Sequence, residues 1–111
     1  MHNWKHITAI AELETVLEAS IERPQIIFKD SVTCGISAYA KSRLIDGNHL
    51  MADKAEFHYL DLLKYRAISN HIAELFNVYH QSPQILVVKN KEVVYTSTHH
   101  SIQAYEIAKY L

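Results

Sequence analysis

The 111-residue chain has one cysteine, two glycines and two prolines. A lone cysteine has no partner within the chain, so no internal disulfide framework supports the fold. It cannot complete a closed zinc site either. Long apolar runs are missing, and no stretch approaches the roughly 20 residues that span a bilayer. The N-terminal MHNWKHITAIAELETVLEAS carries glutamates and has no continuous apolar core, so it does not read as a signal peptide. An excess of one charge is also missing. Eleven Lys and Arg balance twelve Asp and Glu, for a formal charge of −1. That balance excludes recognition of nucleic acid or an anionic membrane by bulk electrostatics. A reducing, cytoplasmic location is the expectation from these absences.

What is present suits one domain spanning residues 1–111. Apolar residues make up 49% of the chain and charged residues 21%, enough to bury roughly 65% of the unfolded surface without staples. Ile7, Ile10, Leu13, Leu17 and Ile21 recur at three- and four-residue steps, which predicts an amphipathic helix closing near Ser20 to Arg23. Pro24 breaks the chain, and residues 25–29 form a short, apolar, buried strand. After a turn over 30–33, Ile36, Ala40 and Leu44 share one helical face. Gly47 is expected to end that helix in the left-handed conformation, and 49–55 allow a further helical turn. A second strand covers 57–62, and Ile68, Ile72, Leu75 and Phe76 mark a third helix. Residues 84–89 are a buried strand, Asn90-Lys91 a two-residue turn, and 92–96 the return strand. Ile102, Tyr105, Ile107, Ala108 and Leu111 complete a final helix, with Ser101 as its N-cap.

The order α-β-α-β-α-β-β-α implies an α/β fold. Alternating strands and helices predict parallel pairing through right-handed crossovers, with the terminal hairpin adding one antiparallel edge. This is the order of a thioredoxin-like, four-stranded mixed sheet flanked by helices, with an extra helix at the N-terminus.

On that map Cys34 falls between the first strand and the next helix. Ligands of open α/β sheets bind outside the carboxyl ends of strands. A helix start presents unpaired N–H groups and a partial positive charge, and thiolate is favoured over thiol at such positions. The alternative is a buried cysteine acting as a small hydrophobe; the junction and Gly35 beside it argue for access instead. Ser37 stands where a C-x-x-C enzyme would carry its second sulfur. Its hydroxyl is a hydrogen-bond donor for a thiolate and forms no disulfide. Ser82-Pro83, just before the third strand, is the second clue. Proline is tolerated at a strand's first residue, and X-Pro is the bond that readily turns cis. In a thioredoxin-like topology this proline faces the active-site cysteine, and the preceding residue offers backbone atoms to the substrate.

Trp4, Ser20, Pro24, Phe28-Lys29, Ser31, Thr33-Cys34-Gly35-Ile36-Ser37 and His80-Gln81-Ser82-Pro83-Gln84 together resemble the monothiol bacilliredoxins of Firmicutes. The resemblance runs over nearly the whole chain. The family motif is T-C-P-I-S, and this chain reads TCGIS, with glycine for proline. The resemblance implies a thioredoxin-like fold and a redox enzyme that removes bacillithiol from mixed disulfides on cytosolic proteins. It puts the nucleophile on Cys34 and the cis-proline on Pro83, with Thr33, Gly35, Ile36 and Ser82 as substrate-contacting neighbours. Bacillithiol is then a co-substrate, no cofactor is tightly bound, and a second thiol or a flavin disulfide reductase regenerates the enzyme.

Two other readings stand beside this one. C-G-x-S also resembles the CGFS motif of monothiol glutaredoxins, which carry an iron–sulfur cluster. Gln81-Ser82 before Pro83 is not their T-V-P, and their Gly-Gly pair before the last helix is missing. A thioredoxin-fold binding module with an inert thiol is the third reading. The eight histidines (His2, His6, His49, His58, His71, His80, His99, His100) show no H-x-x-x-H pair and read as solvated or core-edge residues. His99 and His100 are singled out because the loop before the last helix borders the active-site groove of this topology. A protonated imidazole there stabilises a thiolate. The seven tyrosines read as packing residues, and Lys41 and Arg43 as members of a solvated face.

Overall fold

The computed structural model describes residues 3–111. At its centre is β2, Gln25–Asp30, all six residues of which are buried. Successive side chains of a strand point to opposite faces, so Ile26 and Phe28 serve one core and Ile27 the other. β3, Glu56–Asp61, pairs with β2 in parallel. β4, Gln84–Lys89, runs antiparallel to β2, and β5, Glu92–Thr98, antiparallel to β4. Asn90 and Lys91 close this last hairpin with φ of 50° and 67°, a primed turn whose twist matches that of the strands.

A fifth strand corrects the four-stranded expectation. β1, Lys5–His6, lies parallel to β3, giving the order β1-β3-β2-β4-β5. Ile7 extends it by donating its N–H to the Tyr59 carbonyl at 2.9 Å. Ile7 is therefore buried against the sheet edge and does not belong to the first helix. α1 is Glu12–Glu22 and buries Leu13, Val16 and Ser20, while Ile10 and Ile21 are exposed. Periodicity alone joined Ile7 and Ile10 to the helix; the open edge of β3 claimed Ile7 instead. The Glu12 carboxylate accepts the Thr8 N–H and hydroxyl at 3.1 and 3.0 Å, so the helix starts after that turn.

Pairing also differs from the parallel expectation at β4. α3, Arg66–Phe76, and the segment after it return the chain to the end of the sheet that it left. β4 must then run back along β2. Asn77 closes α3 in the left-handed conformation, with φ of 52°.

α2, Gly35–Asp46, and α4, Ala104–Ala108, cover one face of the sheet. Ala40, Leu44, Ala104 and Ile107 pack there against Ile26, Phe28, Ile85 and Val87. α1 and α3 cover the other, where Leu13, Val16, Ile68 and Ile72 meet Ile27, Leu60, Leu86 and Val88. Ile36 was expected on the buried face of α2, but it is exposed and Ser37 is buried in its place. Gly47 follows α2 with φ of −94°, outside the left-handed region. Its requirement is space, since a Cβ there would stand 2.4 Å from the Ala104 Cβ. The N-cap of α4 is Gln103, because a short 3-10 turn occupies His99–Ser101.

Candidate functional site

β2 ends at Asp30, and four residues later the chain reaches Cys34. The Cys34 N–H donates to the Ser31 carbonyl at 2.9 Å, closing a turn. Cys34 itself is extended (φ −100°, ψ 127°) and occupies the N-cap of α2, its carbonyl accepting the Ala38 N–H at 3.1 Å. The thiol is free and partly exposed. Val32, Thr33, Gly35 and Ile36 are exposed around it. A Cβ at Gly35 would meet nothing within 4 Å. Glycine therefore relieves no clash there, and the approach to the sulfur is open. Ser37 faces inward, and its Oγ accepts the Ser31 N–H at 3.1 Å. That bond fastens the turn bearing Cys34 onto the first turn of α2.

The register of β2 with β4 pairs Lys29 with Gln84. The preceding Ser82-Pro83 thus lies at the carboxyl end of β2, the end where Cys34 sits. The Ser82-Pro83 peptide bond is cis. The Pro83 carbonyl accepts the His99 N–H at 3.1 Å. The His99 carbonyl accepts Arg43 Nη2 at 3.3 Å. Arg43 also lies 4.7 Å from the centre of the Tyr39 ring, against which His100 packs edge-on at 6.1 Å. The structure thus brings His99 next to Pro83. Arg43 and Lys41 are more than a solvated face. Arg43 binds the 99–101 turn to α2, and the Lys41 ammonium lies 5.0 Å from the centre of the Tyr59 ring.

Four residues near this end were given no role in the site by the sequence, although Lys29 and His80 belong to the resemblance motif. Asp30 is almost fully buried; one carboxylate oxygen accepts a short hydrogen bond from the Tyr59 hydroxyl, and the other, Oδ1, is buried without a partner. Burial pushes the Tyr59 pKa up, and the hydrogen bond to Asp30 and that residue's charge add to the shift. Lys29 is fully buried, its ammonium donating to the Ser69 carbonyl at 3.1 Å and to His80 Nδ1 at 3.3 Å. Burial lowers its pKa to about 8. His80 is lowered by its own burial, then by the charges of Lys29 and Arg66. The signal for these residues was available, because Lys-Asp inside the run IIFKD is polar where a buried strand should be apolar.

Among the described residues no group of three or more His, Cys, Asp or Glu side chains is placed to hold a metal, and no helix is long and apolar enough to cross a membrane. His2 lies outside the described residues.

Comparison with solved structures agrees with this geometry. One protein, provisionally described as an oxidoreductase with a thioredoxin fold, superposes with a TM-score of 0.83 at 28% identity, over 97% of this chain and 93% of its own. A structure concerned with thiol resolution in yeast mitochondrial 1-Cys peroxiredoxin has a TM-score of 0.76 at 17% identity, covering 99% of this chain and 97% of its own. Thioredoxin from Fasciola hepatica has a TM-score of 0.72 at 12% identity, covering 96% and 94%. The last two establish the thioredoxin fold alone. The family model for monothiol bacilliredoxin matches residues 5–107. With its thioredoxin fold and a single free thiol where α2 begins, the chain belongs to the monothiol bacilliredoxin family of thiol redox enzymes.

Proposed function

We propose that the protein removes bacillithiol from mixed disulfides on cytoplasmic proteins, with Cys34 as the nucleophile. The observation that carries this reading is a partly exposed thiol at the N-cap of α2, with cis Ser82-Pro83 at the same end of the sheet and no second cysteine in the sequence. The Cys34 thiolate attacks the bacillithiol sulfur of the mixed disulfide. The old S–S bond breaks as the new one forms, and the client cysteine leaves as a thiolate that takes up a proton. Cys34 then carries bacillithiol. Ser37 has no sulfur to displace it, so an external thiol, or a thiol reduced by a flavin disulfide reductase, attacks the adduct and frees Cys34. Thr33, Gly35 and Ile36 line one side of the approach. Ser82 and Pro83 stand at the same end of the sheet, with His99 bonded to Pro83, and are assigned the other side.

Mass spectrometry tests the reading directly. The protein is incubated with oxidised bacillithiol and, separately, with oxidised glutathione. One bacillithiol adduct on Cys34, formed faster than the glutathione adduct and absent from Cys34→Ala, is the expected result. Equal or faster modification by glutathione overturns the assignment of the thiol. No adduct with either, and alkylation of Cys34 no faster than that of a free cysteine peptide, turns the protein into a binding module.

A further inference from the structure

The position of Lys29 has no explanation in the exchange chemistry. A cationic side chain fully inside a sheet is expensive, and an apolar residue would fill the same space beside its cross-strand neighbour Leu60. The partners of Lys29 show what the charge does. One N–H goes to the Ser69 carbonyl in the first half of α3, and another to His80 Nδ1. Ser69 Oγ stands 3.3 Å from the same Nδ1. Nδ1 therefore acts as an acceptor, and the neutral ring carries its proton on Nε2. Its cross-strand neighbour Gln84 is also buried and donates from Nε2 to the Tyr79 carbonyl at 3.1 Å. Two adjacent buried polar side chains thus reach up from β2 and β4 and grip consecutive residues, Tyr79 and His80. The segment they grip leads straight into Ser82-Pro83.

We propose that Lys29 is a positioning residue: through His80, and with Gln84 beside it, its ammonium fixes the 79–82 segment so that the Ser82 backbone is held at one place beside Cys34. The inference deepens the function proposed above, since a fixed Ser82 backbone matters most for a protein disulfide, whose chain must lie along it. A small disulfide that needs only the sulfur is little affected.

Two variants separate this role from general support of the fold. His80→Ala removes a partly exposed group and leaves both cores intact, whereas Lys29→Met removes the buried charge itself. Backbone amide order parameters across 79–82 are expected to fall from about 0.85 to below about 0.6 in both. Those of β2 and β4 stay at the wild-type level. KM for a protein mixed disulfide rises about five- to tenfold, the loss that follows from one hydrogen bond, while the rate of Cys34 alkylation by iodoacetamide stays within about twofold of wild type. Unchanged order across 79–82 in folded His80→Ala overturns the proposal. So does a loss of order spread evenly over the whole sheet. If the wild-type protein reduces no mixed disulfide, the proposed function fails, and the order-parameter arm still decides the role of Lys29.

Discussion

Two clusters of buried polar side chains stand at opposite ends of β2. At the carboxyl end, Lys29 grips His80 and the chain leading to Ser82-Pro83. At the amino end, His58 Nε2 meets Gln25 Oε1 at 2.7 Å, Gln25 Nε2 donates to Glu56 at 2.7 Å, and Lys5 lies 3.8 Å from the same carboxylate group. An open cleft of about 130 Å³ adjoins this second cluster, lined by Lys5, Glu12, Gln25, Glu56 and His58. The hollow lies at the far end of the sheet from the thiol. The cleft is thus no guide to the chemistry, which follows the helix start, the free sulfur and the cis-proline. Burial lowers the pKa of a basic group in both clusters. Burial lowers the His58 pKa to about 4, with the charge of Lys5 adding to the effect. Only the carboxyl-end cluster is tied to a segment at the Cys34 end of the sheet.

The largest expected contrast is in activity. Cys34→Ala abolishes disulfide exchange and keeps the wild-type circular dichroism and melting temperature. His58→Gln, at the other end, leaves the exchange rate at its wild-type value. A comparable loss of exchange in both variants, assayed on one mixed disulfide, breaks the distinction between the two ends.

Stability against pH distinguishes the same two clusters in opposite windows. His58 falls from its ordinary 6.5 to about 4 on folding. Between those values the unfolded chain binds the extra proton, so stability is complete above pH 6.5 and falls by ~3 kcal/mol as pH drops to 4. Lys29 falls from 10.5 to about 8. There too the unfolded chain holds the extra proton, so stability rises by ~3 kcal/mol from pH 8 to 10.5. Urea denaturation across both windows reads these slopes. His58→Gln should flatten the acid slope alone, and Lys29→Met the alkaline slope alone.

Smaller effects sharpen the picture near the thiol. The two glycines, one opening α2 and one just past its end, should respond with opposite sign. Gly47→Ala forces a Cβ onto Ala104 and costs about 1–3 kcal/mol. Gly35→Ala fills open space at a helical residue and stabilises by about 0.5–1 kcal/mol. Ser37→Ala strands the Ser31 N–H and costs about 1 kcal/mol, slowing exchange without ending it. If Ser37→Ala slows exchange as much as Cys34→Ala does, the two residues do not have the separate roles given to them.

The fold was legible where pattern and punctuation agreed. Pro24 before the apolar run 25–29, the Asn90-Lys91 turn and the stripe Ile68-Ile72 all fall where the chain places them. Cys34 stood out because it is the one thiol and sits between a strand pattern and a helix pattern. The same method failed where a helical stripe ran past the helix. Ile7 and Ile10 have the right spacing, yet spacing carries no information about an unpaired strand edge 50 residues away. It failed again at Ile36 and Ser37, where a hydrogen bond to the Ser31 amide turned the polar residue inward.

Local chemistry along the chain determined that this protein is a mixed α/β domain with one thiol at a strand-to-helix junction. Periodicity, turn residues and a single thiol are all short-range properties. The tertiary structure alone decided that β4 turns back along β2, that β1 completes the edge, and that Lys29, Ser69 and His80 meet beneath the 79–82 segment. Each of these depends on groups far apart in the chain finding one another as the sheet closes. No window of neighbouring residues contains both halves of such a contact.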